Sequence, residues 1–227
     1  MKHLSHSLES ALMPRLPNQS VLSRIFAGLA ALSLTVILTG CSNDDDAELG
    51  ETVDASQADS AEYIPASADG PAQNVPEPNL PAVATENTEE GAEATLKYFW
   101  EAIDYARLTG ETDPIALVSH ESCEFCSVYM EGWQQRYQNG DWAVVRDPVE
   151  IRINETKIHV DDEQREWTAI SFKITQPAAE LYVDNVKDTQ ESVGESSAAW
   201  IADLSYNGTT QRWLVEWTGH DSEKSAE

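Results

Sequence analysis

Trp133-Gln134-Gln135-Arg136-Tyr137-Gln138-Asn139-Gly140-Asp141-Trp142-Ala143-Val144-Val145 is the stretch in which the chain changes period, and with it the class of fold. Upstream, Phe125, Tyr129, Met130, Trp133 and Tyr137 recur at three- and four-residue spacing, one stripe of a helix over residues 122–138. Gly140 stops it. Downstream the period is two. Trp142 and Val144 alternate, then Val149, Ile151 and Ile153, while Ile158 and Val160 follow in the opposite phase, which calls for a bulge near Asn154-Glu155. Ile170, Phe172 and Ile174 share one strand face, and Leu181 and Val183 mark a shorter strand. Residues 185–196 have no apolar period and read as a charged loop. Strands over 200–206 and 212–218 flank Asn207-Gly208, a type I′ hairpin signal whose turn could run on into Thr209-Thr210.

Toward the N-terminus, Asp113-Pro114 opens a short helical turn through Ile115, Leu117 and Val118. Before it, Ala92, Leu96, Phe99, Ile103 and Ala106 trace a first helix, with Asn87 as expected N-cap, Glu90 three residues on, and Gly110 as stop. Helices first and antiparallel strands afterwards define an α+β domain, N-terminal helices packed on a curved antiparallel sheet, not an alternating βαβ fold. Its expected span is 87–219, one ordinary domain, with a polar tail over 220–227.

Residues 42–88 hold eleven acids and no Lys or Arg, and five prolines lie between 65 and 81. That composition cannot bury enough apolar surface to offset its ordering entropy, so residues 41–86 are expected to form a disordered tether. Residues 25–38 form an uncharged apolar run behind Lys2, Arg15 and Arg24, of signal-peptide length rather than the roughly 20 residues that span a bilayer. Leu38-Thr39-Gly40-Cys41 closes the run and resembles a bacterial lipobox. Residues 1–40 then read as a lipoprotein signal peptide, and Cys41 as the lipidated N-terminus, placing the protein on the outer face of the cytoplasmic membrane. An ordinary secreted protein or an uncleaved anchor is the alternative. Beyond residue 40 the chain carries 11 Lys and Arg against 39 Asp and Glu. Such acidity excludes nucleic acid as a partner and a polybasic grip on anionic lipid, leaving attachment to the acyl chains.

The order of helix, short helix, helix and curved sheet is similar to the nuclear-transport-factor-2-like cone. Glu86-Asn87-Thr88-Glu89-Glu90-Gly91-Ala92, Lys97-Tyr98-Phe99, Asp104-Tyr105-Ala106, Thr109-Gly110-Glu111 and Ser122-Cys123-Glu124-Phe125-Cys126 together resemble an uncharacterised family of actinobacterial lipoproteins, a domain of unknown function, over about residues 70–217. The resemblance implies an outer-face lipoprotein and brings no activity, catalytic residue or cofactor.

Cys123 and Cys126 remain once Cys41 is lipidated, and an even pair outside the cytoplasm reads as a disulfide. Redox work is disfavoured because Glu121 and Glu124 add negative charge where a thiolate needs positive. Zinc binding through His120 lacks a fourth ligand. A cone-fold enzyme, isomerase or hydrolase, would need an Asp/His pair, for which Asp104 and His159 are the candidates. Asp104 sits beside Ile103, off the apolar stripe; His159 alternates with Ile158 and Val160, expected to point inward. Both therefore read as solvated. The seven tryptophans all fall in the domain and should mostly fill its core. Parity places Trp213, Val215 and Trp217 on one face, and with Trp100 and Trp133 they are candidates for lining a mouth for a small apolar ligand or peptide. The reading that results is a non-catalytic binding lipoprotein, its partner an envelope protein or a small apolar ligand, with the enzyme as alternative.

Overall fold

The computed structural model describes residues 61–220. Three helices come first, α1 (Glu89–Thr109), α2 (Asp113–Leu117) and α3 (Glu124–Gln138). Seven strands follow: β1 (Trp142–Val145), β2 (Glu150–Val160), β3 (Glu166–Gln176), β4 (Ala179–Val183), β5 (Val186–Val193), β6 (Ser196–Asn207) and β7 (Arg212–His220). Every pairing is antiparallel, and the strands form two sheets, β1-β4-β5 and β2-β3-β6-β7. The change of period at Gly140, whose φ is +84°, is the boundary between the helical and strand halves.

Burial follows the apolar pattern along the seam where α1 faces β3 and β6. Leu96, Phe99, Trp100 and Ile103 from α1 meet Ile170, Phe172 and Ile174 from β3 and Trp200, Ala202 and Leu204 from β6, all buried. Each large side chain closed off there contributes about 1.5–3 kcal/mol. Trp100 holds it together by ring contact, 5.5 Å from Trp200 and 6.1 Å from Phe172.

Several expectations are corrected. Residues 61–86, expected as part of a tether, lie on the domain: Ile64 and Gln73 exchange backbone hydrogen bonds, and the Ser67 carbonyl accepts the Trp142 indole N–H at 2.8 Å. A short 3-10 helix, Ala82–Thr85, buries Ala84. Few contacts suffice to hold so polar a segment: Ala66, Leu80 and Ala84 pack on the domain, and the Trp142, Tyr206 and Trp213 side chains donate to its carbonyls. The stretch 1–40 expected to be a signal peptide, Cys41 and the rest of 41–60 lie outside the described residues, as does the expected tail over 221–227.

The cap of α1 is Thr88, whose hydroxyl accepts from Gly91 N–H at 3.1 Å, and not Asn87. Cys123 caps α3, which begins at Glu124. Residues 186–193 are strand β5, although charged, because backbone pairing with β4 needs no apolar face. The β4–β5 connection is Asp184-Asn185, with φ of 51° and 63°, the positive pair that a type I′ turn requires. Asn207-Gly208, the expected I′ site, instead opens a four-residue connection in which the Asn207 side chain accepts from the Thr209 and Thr210 N–H groups.

The bulge predicted near Asn154-Glu155 is present, between Ile153 and Glu155. Past it, however, Ile158 and Val160 are exposed rather than inward, since that end of β2 is not covered by the core. A second bulge, where Asp203 pairs with Trp217 but Leu204 with Val215, shifts the phase of β7. Trp213 and Val215 are buried, then Thr218, while Trp217 is half-buried, so Trp217 does not share the face of Trp213.

Candidate functional site

The polar chemistry of the interior gathers between α1 and α3. Helical spacing from Trp100 through Ile103 brings Arg107 onto the inner face of α1, where the guanidinium is 1% exposed. Along α3, Phe125, Tyr129, Trp133 and Tyr137 follow one another at four-residue steps, ring centres 5.5 to 6.5 Å apart. The Tyr137 hydroxyl donates to the Arg107 carbonyl at 2.9 Å, which fixes the two helices against each other. Their approach is close enough that Gly110, φ +76°, could carry no Cβ without striking the Tyr137 ring at 2.5 Å.

Asp104 belongs to this cluster, which corrects its reading as a solvated surface residue. One carboxylate oxygen accepts from Arg107 Nη1 at 3.0 Å and the other from the Val149 N–H at 2.6 Å. The i to i+3 step from Asp104 to Arg107 makes the pair geometrically natural on one helix. Burial holds the Asp104 carboxyl above the usual carboxylate range, with the Arg107 charge and the Val149 N–H acting in the opposite direction. Tyr129, deeply buried alongside, has its hydroxyl pushed up to about 12, burial again outweighing the nearby guanidinium. Arg107 Nε and Nη2 find no hydrogen-bond partner among the described residues, nor does the indole N–H of Trp100.

His159 is elsewhere. It is exposed and stacked on Trp167, ring centres 5.2 Å apart, near the far end of β2. Ten residues of strand separate it from Val149, which Asp104 bonds, a distance on the order of 30 Å. The candidate Asp/His pair is not assembled.

Cys123 and Cys126 are at disulfide distance, S–S 1.99 Å and Cα–Cα 5.2 Å, both buried. His120, the third member of the suspected metal pattern, turns its Nδ1 to the hydroxyl of Ser122 at 2.7 Å. Among the described residues no cluster of three or more His, Cys, Asp or Glu is placed to hold a metal ion.

Trp100, Trp133 and Trp213, expected as candidates to line a ligand mouth, are instead closed into the core, each 2–3% exposed. Trp213 donates its N–H to the Glu86 carbonyl at 2.8 Å. This explains the Glu86–Ala92 stretch in physical terms: the Glu86 carbonyl lies directly over Gly91, and a Cβ there would come within 2.1 Å of it. A surface groove of about 510 Å³ does run between Asn79–Val83 and the outer side of α1, past Glu90, Glu93, Lys97 and Glu101, and contains none of the four tryptophans. Arg107 escaped the sequence reading because its charge argued for solvent, yet its position four residues after Ile103 was the available signal.

These features define an α+β domain with an aromatic, largely apolar interior and one buried ion pair. Residues 61–218 match the family of unknown function DUF6318, and the chain belongs to that family. No curated protein matches it. Among solved structures, the intermembrane space region of chloroplast protein ARC6 is similar at 8% identity and TM-score 0.39, covering 59% of this chain and 96% of that one. The association domain of C. elegans CaMKII, at 11% identity and TM-score 0.29, covers 59% and 97%. A structure from Catenulispora acidiphila in complex with S-DNPA, at 12% identity and TM-score 0.29, covers 61% and 99%. Likenesses this distant say nothing about activity.

Proposed function

We propose that this is a lipid-anchored protein of the outer face of the cytoplasmic membrane whose cone-like domain works by binding rather than by catalysis. The anchoring half of this reading rests on Leu38-Thr39-Gly40-Cys41 behind an uncharged run. The observation that carries the binding half is the separation of the candidate acid and base. Asp104 is engaged by Arg107 and the Val149 N–H, and His159 is solvated at the other end of β2. The Asp/His acid–base pair of the alternative reading would need both groups within reach of one substrate. Its partner is a small ligand with an apolar body, or an envelope protein.

Two measurements test it. Cys41→Ala should leave the protein unprocessed or release it from the membrane fraction; normal processing and unchanged retention would refute the anchor. Native mass spectrometry of the full protein drawn from its own membranes should show a non-covalent companion that denaturation removes. A measured turnover abolished by Asp104→Asn or His159→Gln would refute the binding reading.

A further inference from the structure

We propose that the groove on the outer side of α1 binds a small linear aliphatic diamine, one ammonium held by Glu90 and Glu93, the other by Glu101 and the Tyr98 hydroxyl. The inference rests on the binding function proposed above and names the ligand class.

The groove offers about 510 Å³ of open space, the size of a small-molecule site, between two fixed walls. On one side Glu90, Glu93, Lys97 and Glu101 recur at three- and four-residue steps along a single face of α1. On the other, Asn79, Pro81 and Val83 are anchored through the bonds that Tyr206 and Trp213 donate to the Thr85 and Glu86 carbonyls. Glu93 is also positioned from β2: its Oε1 accepts from the Thr156 hydroxyl at 2.6 Å, which leaves Oε2 for an occupant.

Tyr98 makes the groove more than an acidic surface. It is 2% exposed and lines the groove, yet the structure gives its hydroxyl no hydrogen bond to any described residue. A polar group that deep takes its partner from whatever fills the groove. Burial and the Glu77 charge hold the hydroxyl above the ordinary tyrosine range, Arg212 acting against them and Glu101 with them. It therefore stays protonated and presents a neutral oxygen that accepts from an ammonium.

Charge and spacing set the ligand. Three carboxylates against one lysine select a cation, and they repel the chain's own residues 42–60, which hold seven acids and no Lys or Arg. A metal ion has the wrong shape. Glu90 and Glu101 are about 16 Å apart along the helix axis, and no three His, Cys, Asp or Glu among the described residues converge to hold one. The positive charge must instead sit at two separated points. Between them stands Lys97, four residues from Glu93 and from Glu101 and joined to neither by an ion pair. A third charge at the centre of the ligand would meet that ammonium, whereas methylenes pack on the lysine stem and Ala94.

The experiment titrates the full protein in detergent with cadaverine at constant ionic strength, read by calorimetry and by amide NMR shifts. Binding should saturate, with shifts confined to α1 and residues 79–83. Pentylamine, with one ammonium, should bind severalfold more weakly, the worth of one partly exposed ion pair. Spermidine, with its inner ammonium, should bind no better than cadaverine, and Lys97→Gln should strengthen spermidine more than cadaverine. Tyr98→Phe removes only the hydroxyl and should weaken cadaverine severalfold; Glu93→Gln should do the same and stands in if Tyr98→Phe fails to fold. No saturable binding, shifts spread over the whole acidic surface, pentylamine equal to cadaverine, spermidine tighter than it, or undiminished binding in both variants would overturn the inference, leaving water as the partner of Tyr98. A companion of another chemistry in the native mass spectrum would overturn it while leaving the binding function standing; no companion and a measured turnover would remove both.

Discussion

Asp104→Ala is the sharpest test of the interior polar cluster. The substitution removes the counter-charge of a guanidinium that is 1% exposed and strips the Val149 N–H of its acceptor. Breaking a buried ion pair from one side costs about 3–5 kcal/mol, because the remaining charge is left uncompensated. The described domain has about 160 residues, for which 1 kcal/mol moves the melting temperature by roughly 2–4 °C, so a fall of roughly 6–20 °C is expected. Removing both charges should cost less than removing one, since a well-packed apolar pair often equals a buried salt bridge. Asp104→Leu with Arg107→Met should therefore recover most of the loss. The assay is a double-mutant cycle of urea and thermal unfolding at neutral pH. A loss under about 1 kcal/mol for Asp104→Ala, or a double variant no more stable than the single, would refute the assignment of Asp104 as the counter-ion that matters.

Gly91→Ala should destabilise the domain by about 1–3 kcal/mol in chemical denaturation, overpacking against the Glu86 and Val83 carbonyls outweighing up to about 1 kcal/mol of helix propensity; a stabilised variant would refute this. Cys123→Ala with Cys126→Ala opens a very short loop, for which chain entropy gives about 2 kcal/mol of lost stability, read in the same way with alkylation confirming no free thiols in the parent. The raised Asp104 pKa gives a pH dependence with a defined sign. The folded domain keeps that proton to higher pH than the unfolded chain, so its contribution favours folding below the ordinary carboxylate range and is lost as pH rises through the raised value. Asp104→Asn should abolish that slope, and an identical pH profile in the variant would count against it. The hydroxyls of Tyr105, Tyr129 and Tyr137 should all ionise later than an ordinary tyrosine, and Tyr129→Phe should shrink, by about one residue's absorbance, the late step of the ultraviolet titration.

The helices, the break at Gly140 and the bulge near Glu155 could be read in sequence because each is a local event, a period or a change of period. What could not be read was decided by groups distant in the chain. Asn207-Gly208 carries the stronger turn signal, yet Asp184-Asn185 takes the I′ turn because Val183 and Val186 are paired across it. Ile158 and Val160 alternate correctly but extend past the end of the core. Trp217 lost its expected face to a bulge opposite Asp203, which no residue type announces. Asp104 and Arg107 were hidden for another reason: a charge that is buried looks, in sequence, like any charge on a helix surface. Residues 61–86 join the domain because Trp142, Tyr206 and Trp213 each donate to a carbonyl of that segment, at 67, 85 and 86, which their composition does not announce.

The bond from Trp213 to Glu86 also orders events in time. It joins positions 127 residues apart, and closing a loop of that length costs roughly 4 kcal/mol of chain entropy. β7 in addition exchanges backbone hydrogen bonds through Val215 with Val118 and His120. During synthesis the helices emerge first, but neither their N-terminal clasp nor the segment between α2 and α3 has its partner until β7 has left the ribosome. A nascent chain therefore cannot lock Glu86 in place before Trp213 exists. For a protein exported across a membrane as proposed, that delay leaves the chain unfolded enough to thread, and the final strand sets the moment at which it stops being threadable.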